Sequence, residues 1–270
     1  MAPPPTFLAQ KNPHPRDEDI SFEEGPHIYT VLGERGTYTS VTTWNHSHFA
    51  KFDSGAILDK MMSGRNMKDP NYKYYGMTRE EIQAMWDKKR DASSGAGTKM
   101  HYDIECYFNN ETVVNDSVEY AYFMKFVQDY PDLVPYRTEW MIYDEDLKLS
   151  GSIDMIFENP DGTLTIADWK RVTEIEYESN FGKMAITPCI EYLPDTNFWH
   201  YALQLNVYKA ILERKYGKTV KELYLVVLHP DNCHKTYEKV DIPIMSKEII
   251  DLFDMRRHQV ETGQDMVTKH

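Results

Sequence analysis

Apolar and polar residues alternate in steps of two along "HIYTVL" (27–32) and "TYTSVT" (37–42), on either side of "GERG", a pattern that predicts a β-hairpin. Its second arm runs into "SVTTWNHSHFAKFDSGAILDKMM", where Ser40, Thr42 or Thr43 can cap the start of a helix. "GRNMKDPNYKYYG" (64–76) reads as a loop. "TREEIQAMWDKKRDAS" opens with Thr78 and Glu81 at capping-box spacing, and so predicts a helix. A second helix is expected through "GAGTKMHYDIECYFN", and a third through "SVEYAYFMKFVQDY", ending before Pro131 and Pro135. The pattern then changes. "YRTEWMIY", "LKLSGSIDMIFE" and "TLTIADWKR" are rich in β-branched and aromatic residues and are separated by turn residues, as strands are. In "DTNFWHYALQLNVYKAILERKYG" the period returns to that of a helix, with Leu203, Val207, Ala210 and Ile211 on the apolar face and Gly217 at its end. "ELYLVVLHP" and "TYEKVDIPI" read as strands and "SKEIIDLFDMRRHQVETG" as a closing helix. The order predicts an α+β or mixed α/β fold, a central mostly antiparallel or mixed sheet flanked by helices. One domain is expected over 26–262, with a helical part at 42–130 and a core at 131–262, between a flexible Pro-rich, acidic tail at 1–25 and a short tail at 263–270.

Two of these strands carry charges that a plain hairpin does not need. Side chains alternate along a strand, so Asp168 and Lys170 share a face, and the "NPDG" turn brings Asp154 back towards Asp168 on the neighbouring arm. Adjacent carboxylates repel unless a proton or cation lies between them, and a hard divalent ion resolves that repulsion. Lys170 on the same face could then hold or help deprotonate a water and stabilise charge on a phosphate. An Asp–Lys ion pair on a surface hairpin would give the same spacing. Upstream, Gly97, His101 and Glu105 recur at steps of four on one helical face, where imidazole and carboxylate can reach a common ion or form a surface pair. Gln204 and Tyr208 are likewise four apart beside an apolar stripe, placed to touch a phosphate or to pack at the core edge. Glu139 is a further acidic candidate, read as structural.

The chain has 270 residues, 41% of them hydrophobic and 13% aromatic, enough for a substantial core, and no apolar run approaches a membrane span. Three scattered cysteines fit neither a disulfide framework nor a cysteine-rich metal site. Neither a secretory nor a mitochondrial address is read at the N-terminus, so an intracellular setting, cytoplasmic or nuclear, is expected. The net charge of −13 argues against a protein that coats polyanions through its overall field, but basic clusters such as "DKKR" and "MRRH" leave room for a local basic groove.

Taken in order, "GTKMHYDIE", "GSIDMIF", "IADWKR" and "YALQLNVY" resemble the PD-(D/E)xK nuclease superfamily, and within it the exonucleases of the RecB type. "YTSVTTWNHSHF" is similar to the hairpin and helix start of the mitochondrial genome maintenance exonuclease and its viral relatives. A relation to nuclease-like proteins of large DNA viruses, acting at viral replication sites, is also in keeping with it. The resemblance covers about residues 27–230 and implies a restriction-endonuclease-like core. It implies that Asp154 and Asp168 bind Mg²⁺ or Mn²⁺ with His101, that the Trp169 backbone carbonyl also ligates, that Glu105 is a secondary ligand, and that Lys170 is the catalytic lysine. Gln204, Tyr208, Arg171 and the Ser40, Thr42 and Thr43 helix start would touch DNA. Asp168 stands where many members carry glutamate, and without four clustered cysteines an iron–sulfur cluster is not expected. The implied activity is metal-dependent hydrolysis of DNA, exonucleolytic, by a metal-activated water, in replication, repair or recombination. Two alternatives compete with it: an inactive nuclease fold that binds nucleic acid or a protein, and a hydrolase of small phosphoesters.

Overall fold

The computed structural model describes residues 4–179 and 181–263. The chain divides into two compact units, Lys51–Met100 and the segments before and after it. The expected helical part at 42–130 is therefore split, because residues 51–100 cluster among themselves. That smaller unit holds α3 (Ser54–Met62), a 3₁₀ turn (Arg65–Lys68) inside the expected loop, and the first part of α4 (Arg79–Phe108), around Leu58, Tyr74 and Ile82. Thr78 and Glu81 form the reciprocal bonds of a capping box at its start: the Thr78 N–H donates to Glu81 Oε2 (2.7 Å) and the Glu81 N–H to Thr78 Oγ1 (3.2 Å).

Two helices were expected where α4 runs unbroken for 30 residues. The Ser93-Ser94-Gly95-Ala96-Gly97 stretch suggested a break. Each glycine costs only about 1 kcal/mol against alanine in a helix, and no proline interrupts the hydrogen-bond ladder.

The larger unit begins with α1 (Phe7–Lys11), a 3₁₀ turn (Pro15–Asp19), and the antiparallel strands β1 (Ile20–Glu23), β2 (Ile28–Val31) and β3 (Glu34–Arg35). The described part of the segment expected as a flexible tail, from residue 4 on, is thus largely built into secondary structure. Leu8 is buried, and Asp17 accepts hydrogen bonds from Arg137 and Trp140. The expected tail beyond Gly263 lies outside the described residues.

The hairpin predicted at 27–42 is also redistributed. Only Glu34 and Arg35 pair back on β2, while β4 (Thr39–Ser40) joins the main sheet and leads into α2 (Val41–His46). After α5 (Val118–Asp129) come β5 (Val134–Asp144), β6 (Leu149–Glu158) and β7 (Leu164–Lys170), then α6 (Asn197–Lys215), β8 (Val220–Val227), β9 (Glu238–Asp241) and α7 (Ser246–Thr262). The fold is mixed α+β. Its six-stranded sheet is itself mixed: β4 lies parallel to β6 and β7 parallel to β8, whereas β5–β6, β6–β7 and β8–β9 are antiparallel.

Helices α2, α6 and α7 supply Trp44, Leu203, Val207, Ile211 and Leu252 to the main core, which they share with Ile153, Ile166 and Leu225 of the sheet. Around Trp169 a second, aromatic packing gathers Phe108, Phe123 and Phe126 at centroid distances of 6.1, 5.6 and 5.7 Å. Among the described residues no helix is long and apolar enough to cross a membrane.

The pairing pattern places the site. β5 pairs with β6 along its whole length, so the other edge of β6 must serve both β4, at Leu149 and Ser150, and β7, from Met155 to Glu158. Residues 151–154 are left unpaired on that edge. Beyond Ala167, β7 leaves β6 and pairs with β8 alone. Asp154 stands at this fork.

Candidate functional site

At the fork the Asp154 carboxylate takes over a backbone donor that the sheet no longer uses, as the Trp169 N–H donates to its Oδ2 at 3.1 Å. The same oxygen lies 3.4 Å from His101 Nδ1, brought in by α4. Alternation along β7 sends Ile166 into the α6 core and Trp169 into the aromatic packing of α4 and α5, leaving Asp168 and Lys170 on the α6 side. There Lys170 Nζ meets Asp168 Oδ2 at 2.5 Å, off the line of a well-directed hydrogen bond, and stands 4.6 Å over the Tyr201 ring. The Asp–Lys pair admitted by the spacing does form. It is not a surface pair, since the Asp168 side chain is 1% exposed and that of Lys170 17%. Buried ion pairs add little net stability, because removing two charges from water offsets their attraction.

From α6, Gln204 Nε2 donates to Tyr208 Oη at 3.3 Å. The Tyr208 ring packs against Gly151 of β6, where a Cβ would come within 2.7 Å of Tyr208 Cε1 and 3.1 Å of its Oη. Gly151 is thus required by close approach. Its side chain is absent so that a buried phenol can reach the fork.

The electrostatics follow from this crowding. Burial raises the Asp154 carboxyl above the usual range although His101 and Lys170 oppose the shift. Asp168 is pushed up to about 6, first by burial and then by the charge of Asp154, with Lys170 pulling the other way. Glu105 rises to about 7 through burial and the neighbouring Glu139. Burial works against a charged imidazole at His101, but Asp154 and Glu139 outweigh it and lift the group to about 9. Lys170 is likewise held above its usual range by Asp168 and Asp154 despite its burial. The site is a cluster of carboxylates set against one imidazole and one ammonium.

His101, Asp154, Asp168 and Lys170, which lie in three separate segments of the chain, therefore fall within electrostatic reach of one another, with Tyr208 beside them. Other candidates are placed differently. Arg171 is drawn away to Glu119 on α5 at 2.6 Å, both side chains being largely buried. Ser40 caps the six-residue α2, accepting from the Thr43 N–H at 3.1 Å and donating to Thr43 Oγ1 at 2.8 Å, with Thr42 Oγ1 3.2 Å away.

Glu139, a candidate read from the sequence as structural, lies beside His101 and Asp154. Ligand atoms of His101, Glu139 and Asp154 all lie within 4.8 Å of one another. In sequence the only signal was an acidic residue beside the aromatic and apolar run at 140–143. The backbone carries the rest, with φ +42° at Glu139 inside β5, a conformation that costs a non-glycine residue about 1–3 kcal/mol.

The donors present suit a hard or borderline divalent ion: carboxylates, an imidazole and no thiolate. The chain matches no family model and no curated protein. Among solved structures it is similar to a protein named SSO0001, with 13% identity, 85% of this chain and 78% of that one covered, and a TM-score of 0.34. It is also similar to the "Putative exonuclease" of Eubacterium rectale, with 13% identity, 84% and 82% coverage, and a TM-score of 0.36. Likeness at this level carries no argument about the site, whose chemistry rests on its own geometry.

Proposed function

We propose that this protein is a metal-dependent deoxyribonuclease of the PD-(D/E)xK type, acting from DNA ends. The observation that carries the reading is the convergence at one sheet fork of His101, Asp154 and the Asp168-Trp169-Lys170 run. His101, Asp154, Asp168 and the Trp169 carbonyl would hold Mg²⁺ or Mn²⁺, with Glu105 as a further acidic group. When bound, the ion would supply Lewis acidity towards a water and charge neutralisation at a phosphate.

The remaining roles belong to the chain. Lys170, held as an ammonium by two carboxylates, is suited to stabilising the negative charge that develops on the phosphoryl oxygens and to holding a water. Tyr208 and Gln204 offer a phenol and an amide to phosphate oxygens. Trp169, stacked among Phe108, Phe123 and Phe126, anchors the backbone between Asp168 and Lys170, so that both side chains project at a fixed interval.

The test is digestion of end-labelled linear and closed circular DNA, single- and double-stranded, with Mg²⁺, Mn²⁺ or EDTA, comparing the wild type with Lys170→Ala. Metal-dependent loss of linear DNA that disappears in the variant supports the reading and gives polarity. A second reading, an inactive nuclease fold that binds a partner, is favoured by the net charge of −13. Intact DNA in every lane would select it.

A further inference from the structure

A glutamate at φ +42° in the middle of an eleven-residue strand is an anomaly that needs a cause. Left-handed backbone is disfavoured for any residue with a Cβ, and glycine, asparagine or aspartate usually occupies it. The register shows what the conformation achieves. Thr138 pairs with Met155 and Trp140 with Ile153, so Glu139 stands across from Asp154 at the fork. Ser152 Oγ donates to Glu139 Oε2 at 2.8 Å and orients the carboxylate, whose Oε1 lies 3.9 Å from His101 Nδ1. Asp154 Oδ2 is 3.4 Å from the same nitrogen. Donor atoms around a six-coordinate ion with bonds of about 2.1 Å lie roughly 3–4 Å apart, so this trio needs only slight contraction to share one.

As a purely structural residue Glu139 is poorly explained. It sets a second carboxylate beside Asp154 and near Glu105, and it holds a strained backbone, in return for one hydroxyl bond and a share, with Asp154, of the His101 imidazole. A cation among the three groups would turn that repulsion into attraction.

We propose that Glu139 is a protein ligand of the divalent ion, oriented by Ser152, and that β5 keeps its left-handed residue for this purpose. The inference rests on the metal-dependent reading above and adds a ligand from a strand outside the motifs that suggested it. One imidazole with two carboxylates favours Mn²⁺ over Mg²⁺ and Ca²⁺, because nitrogen donors suit the transition metal better.

The experiment is Mn²⁺ titration of the full chain without DNA, read by calorimetry and by loss of the free Mn²⁺ paramagnetic resonance signal. It compares the wild type with Glu139→Gln, Glu139→Gly, Ser152→Ala and, as a reference, Asp154→Asn. Glu139→Gln is expected to weaken Mn²⁺ binding by at least about 10-fold, as Asp154→Asn does, and Ser152→Ala by a few-fold. Glu139→Gly should lose the same affinity while the metal-free chain melts no lower than wild type, since glycine adopts φ +42° without strain. Glu139→Gln binding Mn²⁺ like wild type while Asp154→Asn does not would overturn this inference and leave the metal-dependent reading standing. A wild-type chain that binds no Mn²⁺ would remove the metal-dependent reading, and this inference with it. Lower melting of Glu139→Gly with Mn²⁺ affinity intact would return Glu139 to a structural role.

Discussion

Asp17 and Asp168 are both carboxylates drawn out of water, yet their surroundings differ in kind. Asp17 receives the His14 N–H at 3.0 Å, Arg137 Nη1 at 2.8 Å and Trp140 Nε1 at 2.8 Å, three well-formed donors that tie the N-terminal segment to β5. Asp168, more deeply buried, faces Lys170 off-line and is pushed towards its protonated form by burial and by Asp154. Around Asp17 each charge has its donors, and the result is a joint in the architecture. At the fork four carboxylates, Asp154, Asp168, Glu139 and Glu105, crowd together, and burial with a neighbouring carboxylate raises the proton affinity of Asp154, Asp168 and Glu105. Buried polar groups of the first kind support a fold, and those of the second kind cost stability unless a ligand completes them.

Variants of the two regions should therefore fail in different ways. The largest effect is expected at the fork. Lys170→Ala should lower DNA cleavage by about 10²–10³-fold or more, the loss seen when a preorganised charge donor is removed, while melting near pH 6 changes little because Asp168, already pushed up to about 6, takes up a proton when its cation is gone. Single-turnover cleavage rates and thermal melting of the same sample check this together. Asp17→Ala should do the reverse. It strands Arg137 in a largely buried position and is expected to cost about 2–3 kcal/mol in chemical denaturation, with Mn²⁺ affinity unchanged. If Asp17→Ala abolished metal binding at unchanged stability, the contrast would fail.

The comparison also explains what could be read in advance. Asp168 and Lys170 were legible because strand alternation places i and i+2 on one face whatever the rest of the fold does. His101 was legible as half of an i, i+4 pair. Glu139 was not, because period-two reasoning assumes extended backbone and a residue at φ +42° breaks that assumption. The parallel pairing of β4 with β6 was equally hidden, since two residues carry too little pattern to show that they join a strand more than a hundred positions away. Nor does any local signal show that Trp169 is an anchor. Its partners come from α4 and α5, and only tertiary packing assembles them.

A smaller effect probes the wall of the site. Gly151→Ala places a methyl group within 2.7 Å of Tyr208 Cε1, so the phenol must shift from the fork. Overpacking of this kind costs about 1–3 kcal/mol, and under the proposed function, in which Tyr208 meets substrate and not the ion, the accompanying drop in DNA affinity should exceed the drop in Mn²⁺ affinity. Parallel calorimetric titrations separate the two. Equal losses would place Tyr208 with the metal ligands instead.

The smallest effect is a dependence on pH whose sign differs between the two forms of the protein. Asp168 at about 6 and Glu105 at about 7 lie above their ordinary values, so between those values and the ordinary carboxylate range the folded chain binds protons that the unfolded chain has released. Their contribution to stability thus falls as pH rises through that interval. His101, lifted to about 9, is stabilising while protonated, fully so below its ordinary value near 6.5, and that contribution is lost as pH rises towards 9. All three act in the same direction. In EDTA the chain should therefore lose stability steadily between pH 5 and pH 9. A divalent ion requires these same groups deprotonated, so the rise in Tm on adding Mn²⁺ should be small at pH 5 and grow with pH. Melting curves at five pH values with EDTA or Mn²⁺ measure both slopes, and an Mn²⁺ increment independent of pH would mean that the ion binds elsewhere than at the fork.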